Sequence, residues 1–325
     1  MLGKLLSEDQ ETHETHRLIQ EEYNYVLGPH QIPTLTVKPG DIIIADTLDA
    51  SCGRINSPED LPSKAANWPY TNPCVGPIYV QGAEPGDTLS VKIVDIQPRI
   101  DWAASWIRQN LGAIVGNFLS PSINPYLEEE VWIYKFKDDK VLFKANHSEY
   151  TAEMPYQPSL GTIGTSPLWE SVHTLAPGAH GGNMDCIETA PDTTVYLPVN
   201  VSGALLSFGD AHAIQGDGEL TGTAVEMRST TTIVVDVLKN FKISWPRIES
   251  NDYLMVVGCA RPLEDAYRIA HKEMVMILVN EFGFALTDAY KLLEHLGKAR
   301  IGNVVSPSYC IVAKFPKEFL PPAIE

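Results

Sequence analysis

Between Pro177 and Glu226 the chain gathers side chains able to bind a metal in two glycine-rich segments. They are Pro177-Gly-Ala-His180-Gly-Gly-Asn183-Met-Asp185 and Gly209-Asp210-Ala-His212-Ala-Ile-Gln215-Gly-Asp217-Gly-Glu219, followed by Gly222-Thr-Ala-Val-Glu226. Imidazole nitrogen combined with carboxylate oxygen suits Zn²⁺ or a similar divalent ion. Asp210-x-His212 sets two such ligands on one face of an extended segment, because alternate side chains share a face. His180 and Asp185 can complete the shell from the other segment. A hydrolytic site keeps one position open for water, which makes Glu219 a candidate general base. The twin glycines Gly181 and Gly182 can aim backbone N–H groups at a developing oxyanion.

Each piece also has a purely structural reading. An Asp-x-His pair is a common accident, and Gly-Asp pairs usually make Asx turns. Asp217-Gly218 is a hairpin-turn signal, so Asp217 reads as structural. Glu226, between Val225 and Met227, fits a solvent-facing strand position. Cys186 directly follows Asp185 and offers a thiol nucleophile with His180 or His212 as base, or else an inert buried cysteine. The co-occurrence of both segments favours the functional reading. Other chemistries lack their signatures: there is no G-x-S-x-G elbow and no phosphate-binding glycine loop, and Ser166 reads as a turn residue. His13 and His16 read as a solvated face.

The elements that must hold these segments are mostly strands. Short β-rich runs cut by Gly and Pro occur at 34–37, 41–45, 78–80, 89–94, 131–136, 141–143, 194–201 and 231–238. Several alternate apolar and polar residues, as half-buried strands do, and the pattern predicts a β-sandwich or barrel. Pro39-Gly40-Asp41 and Pro85-Gly86-Asp87 carry type II turn chemistry. Val80-Gln-Gly-Ala and Val201-Ser-Gly-Ala, each with a Gly-Asp downstream, read either as a duplicated β unit or as chance similarity. After about Gly258 the period changes. Leu263, Ala266, Ala270, Met274, Ile277, Leu278 and Phe282 lie on one helical stripe ending at Gly283. Thr287 can cap a second helix that stops at Gly297. A provisional boundary near 150 separates an N-terminal β-rich part (1–150) from a β-rich part with C-terminal helices (151–325), or the two form one intertwined domain.

With 325 residues and 44% hydrophobic side chains the chain can bury a sizeable core. Its formal net charge of −17 disfavours a nucleic-acid partner, which needs a surplus of Lys and Arg. The longest strongly apolar run in a helical context, 274–279, is far too short to span a membrane. The N-terminal residues lack a signal-peptide pattern, so a cytoplasmic location is expected. Five cysteines without a C-x-x-C pair fit a reducing compartment.

At its most distinctive residues the chain resembles the acetamidase/formamidase family. The resemblance runs from Pro39-Gly-Asp41 and Asp46-Thr-Leu-Asp49-Ala-Ser-Cys-Gly53, through Asn72-Pro-Cys-Val-Gly-Pro77, to Phe315-Pro-Lys317. Its sharpest marks are Gly161-Thr-Ile-Gly-Thr165, His180-Gly-Gly-Asn-Met-Asp185, Gly209-Asp-Ala-His212 and Gln215-Gly-Asp-Gly-Glu219. Ala179, Leu168–His173 and Gly297–Gly302 depart from the family pattern. The resemblance implies a two-sheet sandwich with an α/β C-terminal portion, and hydrolysis of a small linear or cyclic amide to carboxylate and ammonia. It also implies a divalent metal (Zn²⁺, or Ca²⁺ or another ion) and a homodimer or higher homo-oligomer. Carried onto this chain, it assigns His180, Asp185, Asp210 and His212 as ligands, with Asp49 joining them. It makes Glu219 the base with Glu226 as acidic neighbour, and lets Asn183 hydrogen-bond the substrate. A sandwich that binds metal or a small molecule without catalysis is the alternative.

Overall fold

The computed structural model describes residues 13–114 and 127–323. Two large sheets dominate. The nine-stranded sheet runs in the order Thr15–Leu18, Ile42–Asp46, Ser229–Leu238, Thr88–Pro98, Thr194–Pro198, Arg247–Glu249, Tyr253–Ala260, Tyr309–Pro316, Lys298–Ile301. The ten-stranded sheet runs Thr151–Pro155, Lys140–Lys144, Glu130–Lys137, Trp102–Ile107, Glu226–Met227, Leu206–His212, Ser159–Gly164, Gly181–Asn183. Cys74–Val80 joins the edge of Leu206–His212, and Leu35–Val37 joins Cys74–Val80. Every run expected to be a strand falls on one of these strands or overlaps it.

The inner faces share one core. Val91, Ile93, Ile233 and Val235 from the first sheet pack with Ile78, Leu160, Ile163 and Phe208 from the second. Strand Tyr253–Ala260 is buried on both faces and shows how period two distributes it. Met255, Val257 and Cys259 enter the inter-sheet core, whereas Leu254 and Val256 meet the helix Leu263–Phe282 through Ala266, Ala270, Met274 and Ile277. Gly258 allows this approach, since a Cβ there would lie 2.4 Å from the Ala266 carbonyl oxygen. The helix stops at Gly283, whose φ of 73° is left-handed and whose N–H returns to Val279 O at 3.2 Å. The second helix spans Leu286–Leu296 with Ala285 at its N-cap, so Thr287 lies inside its first turn and does not cap it.

Both Pro-Gly-Asp segments are type II turns: Gly40 and Gly86 have φ of 88° and 99°, and each Asp N–H bonds the carbonyl three residues back. The two Val-x-Gly-Ala segments are the corners at which the chain crosses between sheets, and they bond each other. Val80 N–H donates to Gly203 O at 3.0 Å and Gly203 N–H to Ala83 O at 2.8 Å. Both sheets take strands from either side of residue 150, which itself lies between the paired strands Lys140–Lys144 and Thr151–Pro155. His16 is not on a solvated face: its Nε2 lies 2.9 Å from Asp41 Oδ2. Among the described residues no helix is long and apolar enough to cross a membrane.

Candidate active site

Three neighbouring strands build the floor of the site. Leu206–His212 pairs along one edge with Ser159–Gly164, while its other edge changes partner from Cys74–Val80 to Glu226–Met227 after Gly209. Asp210 sits at that change of partner with a left-handed φ of 58°. Opposite it Gly161 has no side chain to fill the space. A Cβ there would lie 2.5 Å from Asp210 Oδ2, 2.7 Å from Asp185 Oδ1 and 2.8 Å from His212 Cε1. Asp185 leaves the strand Gly181–Asn183 through its own left-handed turn (φ 47°) and bonds Gly161 O through its N–H at 3.1 Å. Glu219 comes from the loop after His212, again with positive φ (49°), and that loop is tied to the C-terminal segment by Gly218 N–H on Ile301 O at 3.0 Å.

The side chains converge. Ligand atoms of Asp185, His212 and Glu219 lie within 4.8 Å of one another, and so do those of Asp210, His212 and Glu226. All five residues are buried. A network of neutral partners orients them. Gln215 Oε1 lies 2.8 Å from His212 Nδ1, which leaves Nε2 facing the carboxylates, 3.6 Å from Asp210 Oδ1 and from Glu226 Oε2. Asn303 and Asn183 donate to Asp185 Oδ2 at 3.1 and 2.8 Å. The Asn72 amide nitrogen, turned toward Asp210, donates to its two oxygens at 2.7 and 3.1 Å. Asp185 Oδ1, His212 Nε2 and Glu226 Oε2 have no hydrogen-bond partner. Buried polar atoms are rarely left so, and either set around His212 has the residue types that could hold a cation.

Electrostatics agree. Burial and the nearby carboxylates push the Asp185 carboxyl well above its ordinary value. Burial likewise raises Glu219, with Asp210 adding, and it raises Glu226 against the counteracting charge of His212. For His212 burial opposes the charged form, but Glu226 and Asp210 outweigh it and push the imidazole up to about 9. Without a cation, protons are what hold these groups together.

Several expected members stand elsewhere. His180 is outside the cluster: its ring packs against Gly178 and Gly182, and burial alone takes it down to about 4. Asp49 is an Asx-turn carboxylate. It accepts from the N–H groups of Ser51 and Gly53 and from the Ser51 hydroxyl, and pairs with Arg228 at 3.1 Å, so its oxygens are spent. The Gly181 N–H donates to Gly178 O at 3.1 Å, and Gly181 and Gly182 pair with Gly164 and Ile163 in the sheet. Neither glycine lines the cavity described below. Asn183 spends its amide on Asp185, Ser306 and Thr162, which makes it a positioning group. Asp217 is exposed and bonds Arg300 at 2.7 Å, as its turn reading implies. Glu226 is buried, not solvent-facing. Cys186 is fully buried in the inter-sheet core with its thiol pushed well up by burial, which removes the nucleophile reading.

Asp210, Glu219, Glu226, Asn72, Asn183 and Ser306 line a cavity of about 420 Å³, whereas Asp185 and His212 do not reach its wall. Trp68 and Trp106 also line it. The supporting roles of Gly161, Asn72, Thr162 and Asn303 had no spacing signal, since their partners lie tens of residues away.

The arrangement has close relatives. The model of the acetamidase/formamidase family matches residues 19–168 and 156–320. The crystal structure of an acetamidase from Yersinia enterocolitica is 43% identical with a TM-score of 0.91, over 96% of this chain and 94% of that one. An acetamidase from Bacillus halodurans gives 30% identity and 0.85, over 94% and 98%. A Schizosaccharomyces pombe protein named as a candidate formamidase is 30% identical over 253 residues, 63% of this chain and 61% of its own length. The chain spans 61% to 63% of the length of the curated relatives it matches.

Proposed function

We propose that this chain, which belongs to the acetamidase/formamidase family, hydrolyses the C–N bond of an amide to a carboxylate and ammonia, with a divalent cation held by Asp210, His212 and Glu226 and with Asp185 on the other side of His212. The observation that carries the reading is the pair of ligand sets that share His212, Asp185 with Glu219 and Asp210 with Glu226, in which Asp185 Oδ1, His212 Nε2 and Glu226 Oε2 are buried without a partner. One imidazole among carboxylates suits Zn²⁺ or another divalent ion that takes mixed nitrogen and oxygen ligands. Such a cation, when bound, supplies positive charge that polarises a carbonyl and acidifies water.

The chain's own groups do the rest. Glu219, at the cavity wall, takes a proton from the attacking water as its oxygen bonds to the carbonyl carbon. The same carboxyl returns that proton to the amide nitrogen as the C–N bond breaks. Glu226 adds negative charge that keeps His212 and the cation in place. Asn183, Asn303 and Gln215 fix the ligands' orientations, and the apolar cavity wall limits competing water.

The test is ammonia release from formamide and acetamide, before and after chelation. Chelation abolishes turnover and Zn²⁺ or another divalent ion restores it, and Glu219→Gln lowers kcat by about 10²–10⁴-fold. Undiminished turnover in protein shown to be free of metal would remove the cation from the proposal. Bound ion with no ammonia from any amide would favour a silent binding sandwich.

A further inference from the structure

The cavity is far larger than the smallest amides need, and its chemistry is mixed. The carboxylates, Asn72 and Ser306 line it together with the apolar side chains of Ile55, Ala66, Trp68, Trp106, Leu111 and Leu175. Formamide and acetamide have three and four heavy atoms. Taking a water-sized atom as roughly 30 Å³, acetamide fills on the order of 100 Å³. Most of the 420 Å³ would then hold water against apolar walls. Specific small-molecule sites instead match their ligand's shape, with apolar walls on its body and a few polar groups on its reacting end.

The apolar lining is also built rigidly. Trp106 is buried with Ile55, Ala104 and Val131 in a core cluster of its own. Its backbone is locked to Thr223 on both sides: Trp106 N–H donates to Thr223 Oγ1 at 3.1 Å, and that hydroxyl donates to Trp106 O at 2.9 Å. Leu111 lies directly on the turn that carries Glu219, where a Cβ on Gly222 would come within 2.4 Å of its Cγ. Glu219 O in turn accepts from Gly222 N–H at 2.7 Å. The turn that carries Glu219 and this part of the apolar lining are therefore packed against each other.

We infer that the site takes amides whose acyl group carries an apolar body the size of an aromatic ring, in preference to one- and two-carbon amides. The inference rests on the amide-hydrolase reading and deepens it. The bulky group fills the space between Ile55, Trp106 and Leu175 while the carboxamide faces Glu219 and the ligand cluster. One methylene in a hydrophobic pocket is worth about 10–200-fold in kcat/KM, so a ring should exceed the lower bound.

The full chain, loaded with Zn²⁺, is assayed for ammonia release from formamide, acetamide and phenylacetamide, and binding of the same amides is measured by calorimetry. The expected result is a kcat/KM for phenylacetamide roughly tenfold or more above that for acetamide. Ala66→Phe, which adds bulk to the apolar lining, should lower that ratio at least several-fold. Turnover of formamide or acetamide with phenylacetamide equal or poorer overturns the inference and leaves the amidase reading standing. No turnover of any amide, with phenylacetamide still bound in preference, overturns the amidase reading and supports the pocket assignment. No turnover and no preferential binding overturns both.

Discussion

Replacing Gly161 by alanine tests whether the space opposite Asp210 is what lets the cluster form. The backbone there is not left-handed, so alanine meets no conformational penalty and the effect is one of volume. The new Cβ would lie 2.5, 2.7 and 2.8 Å from atoms of Asp210, Asp185 and His212, whereas contact between heavy atoms needs roughly 3.5 Å. The three side chains must together retreat by about 1 Å. They are not free to swing, because Asn72 pins Asp210, Asn183 and Asn303 pin Asp185, and Gln215 pins His212. A misplacement of about 1 Å near the chemistry costs on the order of 10²-fold in rate, about 2.7 kcal/mol of barrier. Stability should move less: overpacking costs about 1–3 kcal/mol, offset by about 0.4–1 kcal/mol from the stiffer unfolded chain.

The assay is kcat/KM for ammonia release, Zn²⁺ affinity by competition with a chromophoric chelator, and thermal melting, with Gly216→Ala as control. Gly216 is in the same region, and a Cβ there meets nothing within 4 Å. The expected outcome is a loss of about 10²-fold in kcat/KM and about 10–100-fold in ion affinity for Gly161→Ala, with the control unchanged. Activity and ion affinity within twofold of the native chain would refute the role given to this glycine and the placement of the ion beside it.

Three further outcomes follow from the same geometry. Gln215→Leu removes the 2.8 Å partner of His212 Nδ1 and should weaken ion binding about 10–100-fold, read by the same competition assay, with little change in the fold. In chelated protein the raised carboxyls of Asp185, Glu219 and Glu226 contribute stability that is present below the ordinary values of 3.8 and 4.5 and is lost as pH rises through their elevated ones. The melting temperature of the chelated chain should therefore fall as pH rises above the ordinary carboxyl values, and Zn²⁺ at a hundredfold excess over its Kd should recover about 2.7 kcal/mol. At the Pro85-Gly86 corner burial opposes the Asp87 charge, but Lys239 and the N–H groups of Asn240 and Glu84 outweigh it, so its carboxyl is held low. That stability is present above the unfolded value and lost as pH falls through the lower folded one. Asp87→Asn should cost about 2 kcal/mol at pH 7 in urea melts, and the cost should shrink as pH falls below the ordinary carboxyl value.

What could be read from the sequence was whatever local chemistry decides. Strand alternation, the two Pro-Gly-Asp turns and the long helical stripe depend on neighbours within a few residues, and the strands, turns and helix stand where those patterns put them. Leu206–His212 is buried on both faces and so shows no alternation; its glycine content read as loop. The helix at 286 starts one residue before the Thr287 that looked like its cap, because Ala285 already has the extended backbone of an N-cap. His180 and Asp49 lie in motifs rich in ligand-type residues, yet one is enclosed by its own loop and the other is consumed by an Asx turn. Spacing cannot distinguish a carboxylate facing inward from one satisfying the turn that carries it. Gly161, Asn72 and Asn303 were legible only once distant segments were brought together.

The backbone adds a last point about how the site is maintained. Asp185, Asp210 and Glu219 are three left-handed non-glycine residues, and all three belong to the cluster. Such conformations cost of order 1–3 kcal/mol each, with Asp tolerating them better than Glu. Holding several acids in one dry volume adds mutual repulsion and desolvation on top of that strain. Local interactions do not offset this, since Asp185 Oδ1 and Glu226 Oε2 lack even a hydrogen bond. The compensation has to come from the inter-sheet core, where Leu160 and Ile163 flank Gly161-Thr162, and Phe208 and Ala211 flank Gly209-Asp210, along the same two strands. Each fully buried large side chain there contributes about 1.5–3 kcal/mol, so a few suffice to hold the acids in place. The strands that carry the ligands are thus also those that stabilise the sandwich. The cluster is therefore organised before any cation or amide arrives, and the reorganisation that a flexible acidic loop would require at each turnover is already met in folding.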